Sequence, residues 1–67
     1  MSIAKVTEVI SSSTVGIEDA VKQGVARAAK TLDNITGVWV SDTKCTVSNG
    51  VVTEWRCTLK LTFVLKD

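Results

Sequence analysis

The chain has 67 residues, of which 45% are hydrophobic and 22% are charged. This length allows one domain, which we expect to span residues 1–67, and this composition excludes a disordered segment. Eight Lys and Arg residues against seven Asp and Glu residues leave a net charge of +1, unlike the strongly basic surface of a nucleic-acid-binding protein. The absence of histidine excludes His-based catalytic triads and His metal ligands.

The small size of the chain bears on its stability. No apolar run approaches the roughly 18 residues of a membrane-spanning helix, so we expect no membrane partner. A domain of about 60 residues buries only about 60% of its unfolded surface and usually needs disulfides, a metal or oligomerisation. The cysteines, Cys45 and Cys57, form no metal-binding motif. Self-association is therefore the expected source of stability.

The first half of the chain predicts a strand and a helix. The β-branched segment 2–10 is expected to form the first strand, and the Ser and Thr residues at 11–14 a turn that leads into the helix. Apolar and small residues then recur at helical spacing, namely Ile17, Val21, Gly24, Val25, Ala28, Leu32 and Ile35. The small residues Gly24 and Ala28 predict close packing of this helix against a sheet, and Gly37 predicts a break.

The second half predicts a long β-hairpin. Asn49-Gly50 favours a type I′ turn, because both central positions of that turn need positive φ. We expect the second strand at about 38–48 and the third at about 51–66, where apolar and polar residues alternate over about 50 Å of strand. The predicted fold class is α+β, a β-α-β-β unit in which one helix covers one face of a three-stranded antiparallel sheet.

A two-residue turn fixes the pairing across the hairpin unless a bulge intervenes. The unbulged register places Val38 and Val40 on the helix side. The opposite face of the sheet, which we call the outer face, is expected to carry Gly37, Trp39, Thr43, Cys45 and Arg56. With Cys45 outside and Cys57 on the helix side, no disulfide can form, which favours a reducing, cytoplasmic location.

Signals for catalysis are weak. Asp42 would face Cys57 on the helix side, where burial would make it a functional candidate, but a solvated position at the rim of the sheet is the preferred interpretation. Cys45 would be an activated nucleophile only beside a positive charge, and its neighbour Lys44 points to the opposite face of the strand. We therefore expect no enzymatic activity.

The two tryptophans are the most informative side chains. Trp55 is expected on the helix side, where it would fill the core. Trp39 is expected on the outer face opposite Lys60, and an exposed indole on a bare sheet face indicates either a subunit contact, which is preferred, or a site for a flat aromatic ligand. Arg56 on the same face would supply an ion-pair partner or an anion contact.

The order and spacing of several short segments resemble the dodecin family over nearly the whole chain. These segments are Lys5-Val6, the Ser/Thr cluster at 11–14, Gly16-Ile17-Glu18-Asp19-Ala20-Val21, Ala26-Arg27-Ala28, Lys30-Thr31-Leu32 and Leu59-Lys60-Leu61-Thr62-Phe63-Val64-Leu65. The resemblance implies a small bacterial or archaeal protein whose sheet wraps around its helix. It also implies a hollow homododecamer that binds flavins in pairs.

The family's flavin contacts are only partly matched. The tryptophan that stacks on the isoalloxazine ring across a twofold axis corresponds to Gly37, and the glutamine that hydrogen-bonds the polar edge of the flavin corresponds to Arg56. A basic residue of the second strand is matched by Lys44. Trp39, two residues from Gly37 and on the same face, would supply a displaced stacking platform beside Val38.

Two functions therefore remain open. The first is a homo-oligomeric storage protein without catalysis that sequesters a flavin, riboflavin or FMN, at subunit interfaces. Its ligand-binding residues would be Gly37, Val38, Trp39, Lys44 and Arg56. The alternative is a dodecameric structural cage that binds no flavin and holds another small ligand or none, with Trp39 and Arg56 in subunit contacts.

Overall fold

The computed structural model describes residues 2–66, which form one helix and three strands in the order β-α-β-β. The elements are β1 (Ala4–Ser13), α1 (Ile17–Ala28), β2 (Ile35–Ser48) and β3 (Val51–Val64). The sheet order is β1-β3-β2, and β3 pairs antiparallel with both neighbours. Helix α1 carries the chain from one edge strand to the other and packs on one face of the sheet. The predicted fold class is confirmed, and the long hairpin gives the molecule its 52 Å length.

Strand β1 is longer than predicted, because residues 11–13 continue the strand instead of turning. They pair with the long central strand β3, whose ladder hydrogen bonds outweigh the turn preference of serine. Ser13 is buried, and its hydroxyl accepts from the backbone N–H groups of Val15 and Gly16 at 2.9 and 3.3 Å. The same hydroxyl donates to Oδ2 of Asp19 at 2.6 Å. The turn into the helix is thus organised by the last serine of the cluster alone.

Helix α1 ends earlier than the apolar periodicity predicts. Leu32 and Ile35, the last members of the predicted stripe, lie beyond the end of the helix at Ala28. Hydrogen bonds to carbonyls three residues back tighten the chain after Ala28, and Asn34, with a φ of 60°, reverses its direction. Leu32 and Ile35 still pack against the core, from the turn and from β2.

A register shift between Ile35 and Gly37 lies at the start of β2, and two bulges further along set which of its residues face outward. Thr53 is the extra residue on β3 and Ser41 is the extra residue on β2. Between these bulges the segment 42–46 is shifted by one residue from the unbulged register, so its side chains turn to the opposite face. Hydroxyl groups hold both irregularities, since Ser41 Oγ donates to the Thr58 carbonyl at 3.3 Å and Oγ1 of Thr53 hydrogen-bonds that of Thr46 at 2.6 Å.

The bulges overturn four predicted placements. Thr43 and Cys45 point to the helix side rather than outward, and Asp42 and Lys44 point outward rather than to the helix side. Cys45 is exposed and Cys57 is buried, and both are free, although the predicted ground for this, their position on opposite faces, is wrong. The two thiols are staggered neighbours on one face instead of lying on opposite faces.

The core between α1 and the sheet is small. Its buried apolar residues are Ala20, Ala28, Cys57, Leu59 and Leu61. Trp55 lies on the helix side as predicted but is only half-buried and does not belong to this core. Large apolar side chains at the sheet edges, at the hairpin tip and in the turn before α1 remain 37–76% exposed, among them Val6, Ile10, Val15, Val47 and Val51. So much apolar surface around so small a core favours burial against further copies of the chain.

Gly24 allows α1 to approach β3 closely. A Cβ at this position would lie 2.6 Å from Cδ1 of Leu59 and 3.0 Å from Cβ of Ser11. We expect Gly24→Val to lower the free energy of unfolding by about 1–3 kcal/mol, since the helix must move away from the sheet. Ala26→Val places the same side chain on the exposed side of the helix and should lower it by no more than about 0.7 kcal/mol. Urea unfolding compares the two variants, and equal losses would show that the close approach does not matter.

Candidate ligand-binding face

The outer face carries the candidate residues in rows that cross the sheet. Three rows of β2 and β3 matter here, Gly37 opposite Thr62, Trp39 opposite Lys60 and Lys44 opposite Arg56. Strand β1 extends two of these rows, because Glu8 pairs with Lys60 and Ser12 pairs with Arg56. Trp39, Lys44 and Arg56 therefore share one face, which no other element of residues 2–66 covers.

Trp39 is the large aromatic side chain of this face, and 62% of its surface is exposed. Nζ of Lys60 lies 4.8 Å from the centroid of the indole ring. A cation over an exposed indole stabilises the pair by about 0.5–1 kcal/mol. A ring that stacks on this face of the indole must therefore displace the ammonium group, which is a modest cost.

Gly37 leaves open space two residues from the indole. A Cβ added there would meet no atom within 4 Å, and φ at this position is not in the left-handed region. A Cβ is therefore sterically allowed at the position where the resemblance expects the stacking tryptophan. The glycine leaves the outer face flat at this point instead of adding a second aromatic surface.

Arg56 is oriented by neighbours on two strands. Its Nε donates to Oγ of Ser12 at 3.2 Å, and its Nη2 lies 3.3 Å from Oε1 of Glu54. The side chain is 49% exposed, so the guanidinium keeps donors available to a ligand. A guanidinium has no acceptor and cannot reproduce both roles of a glutamine amide. Ser12 could not be identified as its partner from the sequence, because that serine was predicted to lie in a turn.

Lys44 reaches the outer face only through the two bulges, which place it directly opposite Arg56. Its Nζ lies 3.8 Å from Oδ2 of Asp42, and both side chains are more than half exposed. An exposed pair at this distance contributes little to stability. The structure thus brings Lys44 and Arg56 together as a pair of basic side chains with neighbouring carboxylates.

The candidate residues do not converge on one point within a single chain. Lys60 and Arg56 are four residues apart on β3, so the row of Trp39 and the row of Arg56 lie about 13 Å apart along the strands. Val38 is opposite Leu61 on the helix side, so only its main chain is available at the outer face. Within one chain, Trp39 and Arg56 are therefore separate positions on the outer face.

Neither a metal cluster nor a membrane span is found in residues 2–66. No group of three or more His, Cys, Asp or Glu side chains in this part of the chain is placed to hold a metal ion. Nor does its helix have the length and apolarity that crossing a membrane requires.

Comparison with known proteins covers almost the whole chain. The family model described as Dodecin matches residues 3–66. The dodecin from Streptomyces coelicolor is 33% identical, with a TM-score of 0.93 over 98% of this chain and 94% of that one. A single-substitution variant of the T. thermophilus dodecin is 28% identical, with a TM-score of 0.94 over 100% of both chains.

A third match comes from Mycobacterium tuberculosis. This calcium dodecin, an antigen with a novel calcium-binding site, is 26% identical to the chain. The TM-score is 0.81, over 96% of this chain and 91% of that one. A sequence comparison with curated proteins gives no match.

Proposed function

The chain belongs to the dodecin family, and we propose that it is a homo-oligomeric storage protein that sequesters a flavin, riboflavin or FMN, at interfaces between its copies. One observation carries this proposal. Trp39 presents a 62% exposed indole on a sheet face that no other element of residues 2–66 covers. Flat aromatic ligands stack on such side chains.

Assembly is the part of the proposal with the broadest support. Among residues 2–66 the buried core consists of five apolar residues, while other large apolar side chains remain 37–76% exposed. Closed symmetric assemblies are the usual form of homo-oligomers. We propose twelve copies of a single domain, a number that rests on the family alone. Contacts between copies would also bring the Trp39 row of one chain near the Arg56 row of another.

The side chains of the outer face fit a flavin in part. Trp39 would stack on the isoalloxazine ring, and Gly37 leaves room for the ring to extend past the indole. Lys44 and Arg56 would donate hydrogen bonds to carbonyl oxygens of the ring, and the main chain at Val38 would contact the ring edge. We propose no catalytic role for these residues, because binding and shielding of the ring are sufficient for storage.

The alternative function is a structural cage that binds no flavin. Two observations favour it. Gly37 and Arg56 stand at the positions of the family's tryptophan and glutamine. In addition, the ammonium group of Lys60 already lies over the Trp39 ring. In this alternative, Trp39 and Arg56 make subunit contacts, and another small ligand or none is held.

The state of the two thiols supports a proposal for the location of the protein. Cys45 is exposed and Cys57 is buried, and neither forms a disulfide. Free thiols are typical of reducing compartments, and we propose that the protein is cytoplasmic.

Restoring the family's contacts tests the flavin proposal. In Gly37→Trp combined with Arg56→Gln, we expect the affinity for riboflavin to rise by roughly ten- to a hundredfold, because a second indole joins the stack and the amide matches the flavin edge. Quenching of riboflavin fluorescence during titration measures the affinity. Gly16→Trp is the matched control, because a Cβ at Gly16 also meets nothing within 4 Å but lies at the start of α1.

The outcomes of this titration separate the two functions. Binding by the wild-type chain that strengthens in the restored variant and is unchanged in Gly16→Trp supports storage. An assembled wild-type protein that leaves riboflavin fluorescence unchanged would rule storage out in favour of the cage, whether or not the restored variant binds.

A further inference from the structure

We propose that Lys60 makes the outer face select anionic flat aromatic ligands over neutral ones. The inference rests on the function proposed above, since it takes Trp39 as the stacking platform. It assigns the choice of ligand to a side chain that is neither the tryptophan nor the glutamine position of the family, and it names the ligand class as a flat ring that carries an acidic group.

The basic side chains of the outer face differ in whether a carboxylate lies close to them. This face carries three basic side chains on β2 and β3, and two of them have a carboxylate nearby. Lys44 lies 3.8 Å from Asp42, and Arg56 lies 3.3 Å from Glu54. Lys60 has no carboxylate within 4 Å among residues 2–66, although Glu8 is its register partner on β1. The positive charge of Lys60 is therefore the one that remains available to a ligand on this part of the sheet.

The positive charge of Lys60 lies over the ring of Trp39. Nζ of Lys60 lies 4.8 Å from the centroid of the Trp39 ring, where a stacked ligand ring would lie. The lysine stem is long and flexible, so the ammonium group can move to the edge of an incoming ring while its backbone stays in β3. At that edge it lies beside any substituent of the stacked ring.

Two ligands that share the same ring respond differently to this cation. Each must displace the cation from the indole, so each loses the same cation–π contact. A neutral ligand leaves the displaced ammonium to water and to the carboxylate of Glu8, its register partner, whereas an anionic ligand supplies a charged acceptor at the ring itself. The difference in affinity between the two ligands therefore depends on Lys60, while the shared stacking energy depends on Trp39.

Lys44 and Arg56 do not produce the same effect beside the ring. Their row lies about 13 Å along the strands from the Trp39 row, and their neighbouring carboxylates reduce their net attraction for an anion. In an assembly they would act on the ligand of another copy, where they would serve both ligands through hydrogen bonds to the ring.

FMN and riboflavin make the comparison possible, because they share the isoalloxazine ring and differ by a phosphate. We expect the wild-type protein to bind FMN more tightly than riboflavin. In Lys60→Met the ratio of the two affinities should fall by roughly two- to fivefold, the size expected for an exposed ion pair. High salt should reduce the wild-type ratio and leave that of Lys60→Met nearly unchanged. Lys30→Met removes the same charge from the exposed turn after α1 and should keep the wild-type ratio.

Each outcome decides a separate claim. If both flavins bind and Lys60→Met weakens both equally, Lys60 has a structural role only and the selectivity proposal is wrong, while the storage function stands.

If neither flavin binds, the storage function is wrong, and quenching of Trp39 fluorescence in a Trp55→Phe background tests Lys60 independently. Iodide should then quench Trp39 more strongly in the presence of Lys60 than in Lys60→Met, with acrylamide quenching unchanged. Equal iodide quenching would overturn the role of Lys60 in attracting anions.

Discussion

Trp39→Ala is expected to lower the affinity for riboflavin by roughly ten- to a hundredfold, because it removes the stacking surface of the outer face. The indole is 62% exposed and contacts the ammonium group of Lys60, so its loss creates no cavity in the core of the chain. The mass of the assembly should therefore stay the same. Fluorescence titration with riboflavin measures the affinity, and native mass spectrometry measures the assembly.

Trp55→Phe is the matched control for this experiment. Trp55 lies on the helix side of β3, opposite Cys45, and phenylalanine keeps an aromatic ring at this half-buried position. We expect its riboflavin affinity to equal that of the wild type. The opposite result is an assembly that dissociates in Trp39→Ala, while the chains that remain assembled take up as much flavin as the wild type. That result would identify Trp39 as a subunit contact and favour the cage.

Leu59→Ala is expected to lower the free energy of unfolding by about 2–5 kcal/mol, the usual loss for a fully buried leucine. Leu59 is 0% exposed, lies opposite Val9 on β1 and Val40 on β2, and meets the helix at Gly24. The whole stability of a chain of 67 residues is on the order of 3–10 kcal/mol. This one substitution should therefore unfold a large fraction of the protein unless assembly compensates.

Urea unfolding at a fixed chain concentration measures this loss, since association makes the stability depend on concentration. Val15→Ala is the control, because Val15 is 76% exposed in the turn before α1 and its loss should change the free energy by less than about 0.5 kcal/mol. A loss in Leu59→Ala no greater than that in Val15→Ala would mean that the core between helix and sheet does not stabilise the chain.

The fold was predictable because its strongest signals are local and agree with one another. Asn49 and Gly50 both have positive φ, as the predicted type I′ turn requires. The alternation of apolar and polar residues in β3 identifies the face that the helix covers, and Gly24 marks the close approach of α1. Leu32 and Ile35 misled the prediction of the helix end, because a turn and a strand can bury apolar residues against the same core.

The candidate site was predictable only in part, because bulges decide which face a strand residue occupies. Trp39 lies opposite Lys60 as the unbulged register predicts, since it lies beyond both bulges. Lys44 lies between the bulges and turns to the outer face, next to Arg56. The bulge residues Ser41 and Thr53 are ordinary strand residues in the sequence, and their stabilising hydrogen bonds are visible only in the structure. The role proposed for Lys60 was not predictable either. It depends on the carboxylates that lie close to Lys44 and Arg56 in the structure but not to Lys60.

Native mass spectrometry of the purified protein, without and with riboflavin, tests the central claim most directly. The account predicts an assembly of about twelve chains that takes up flavins in even numbers, because sites on twofold axes fill in pairs. A stable monomer would contradict the argument from the small core and the exposed apolar surface. An assembly of that size that takes up no flavin would contradict the storage function and leave the cage.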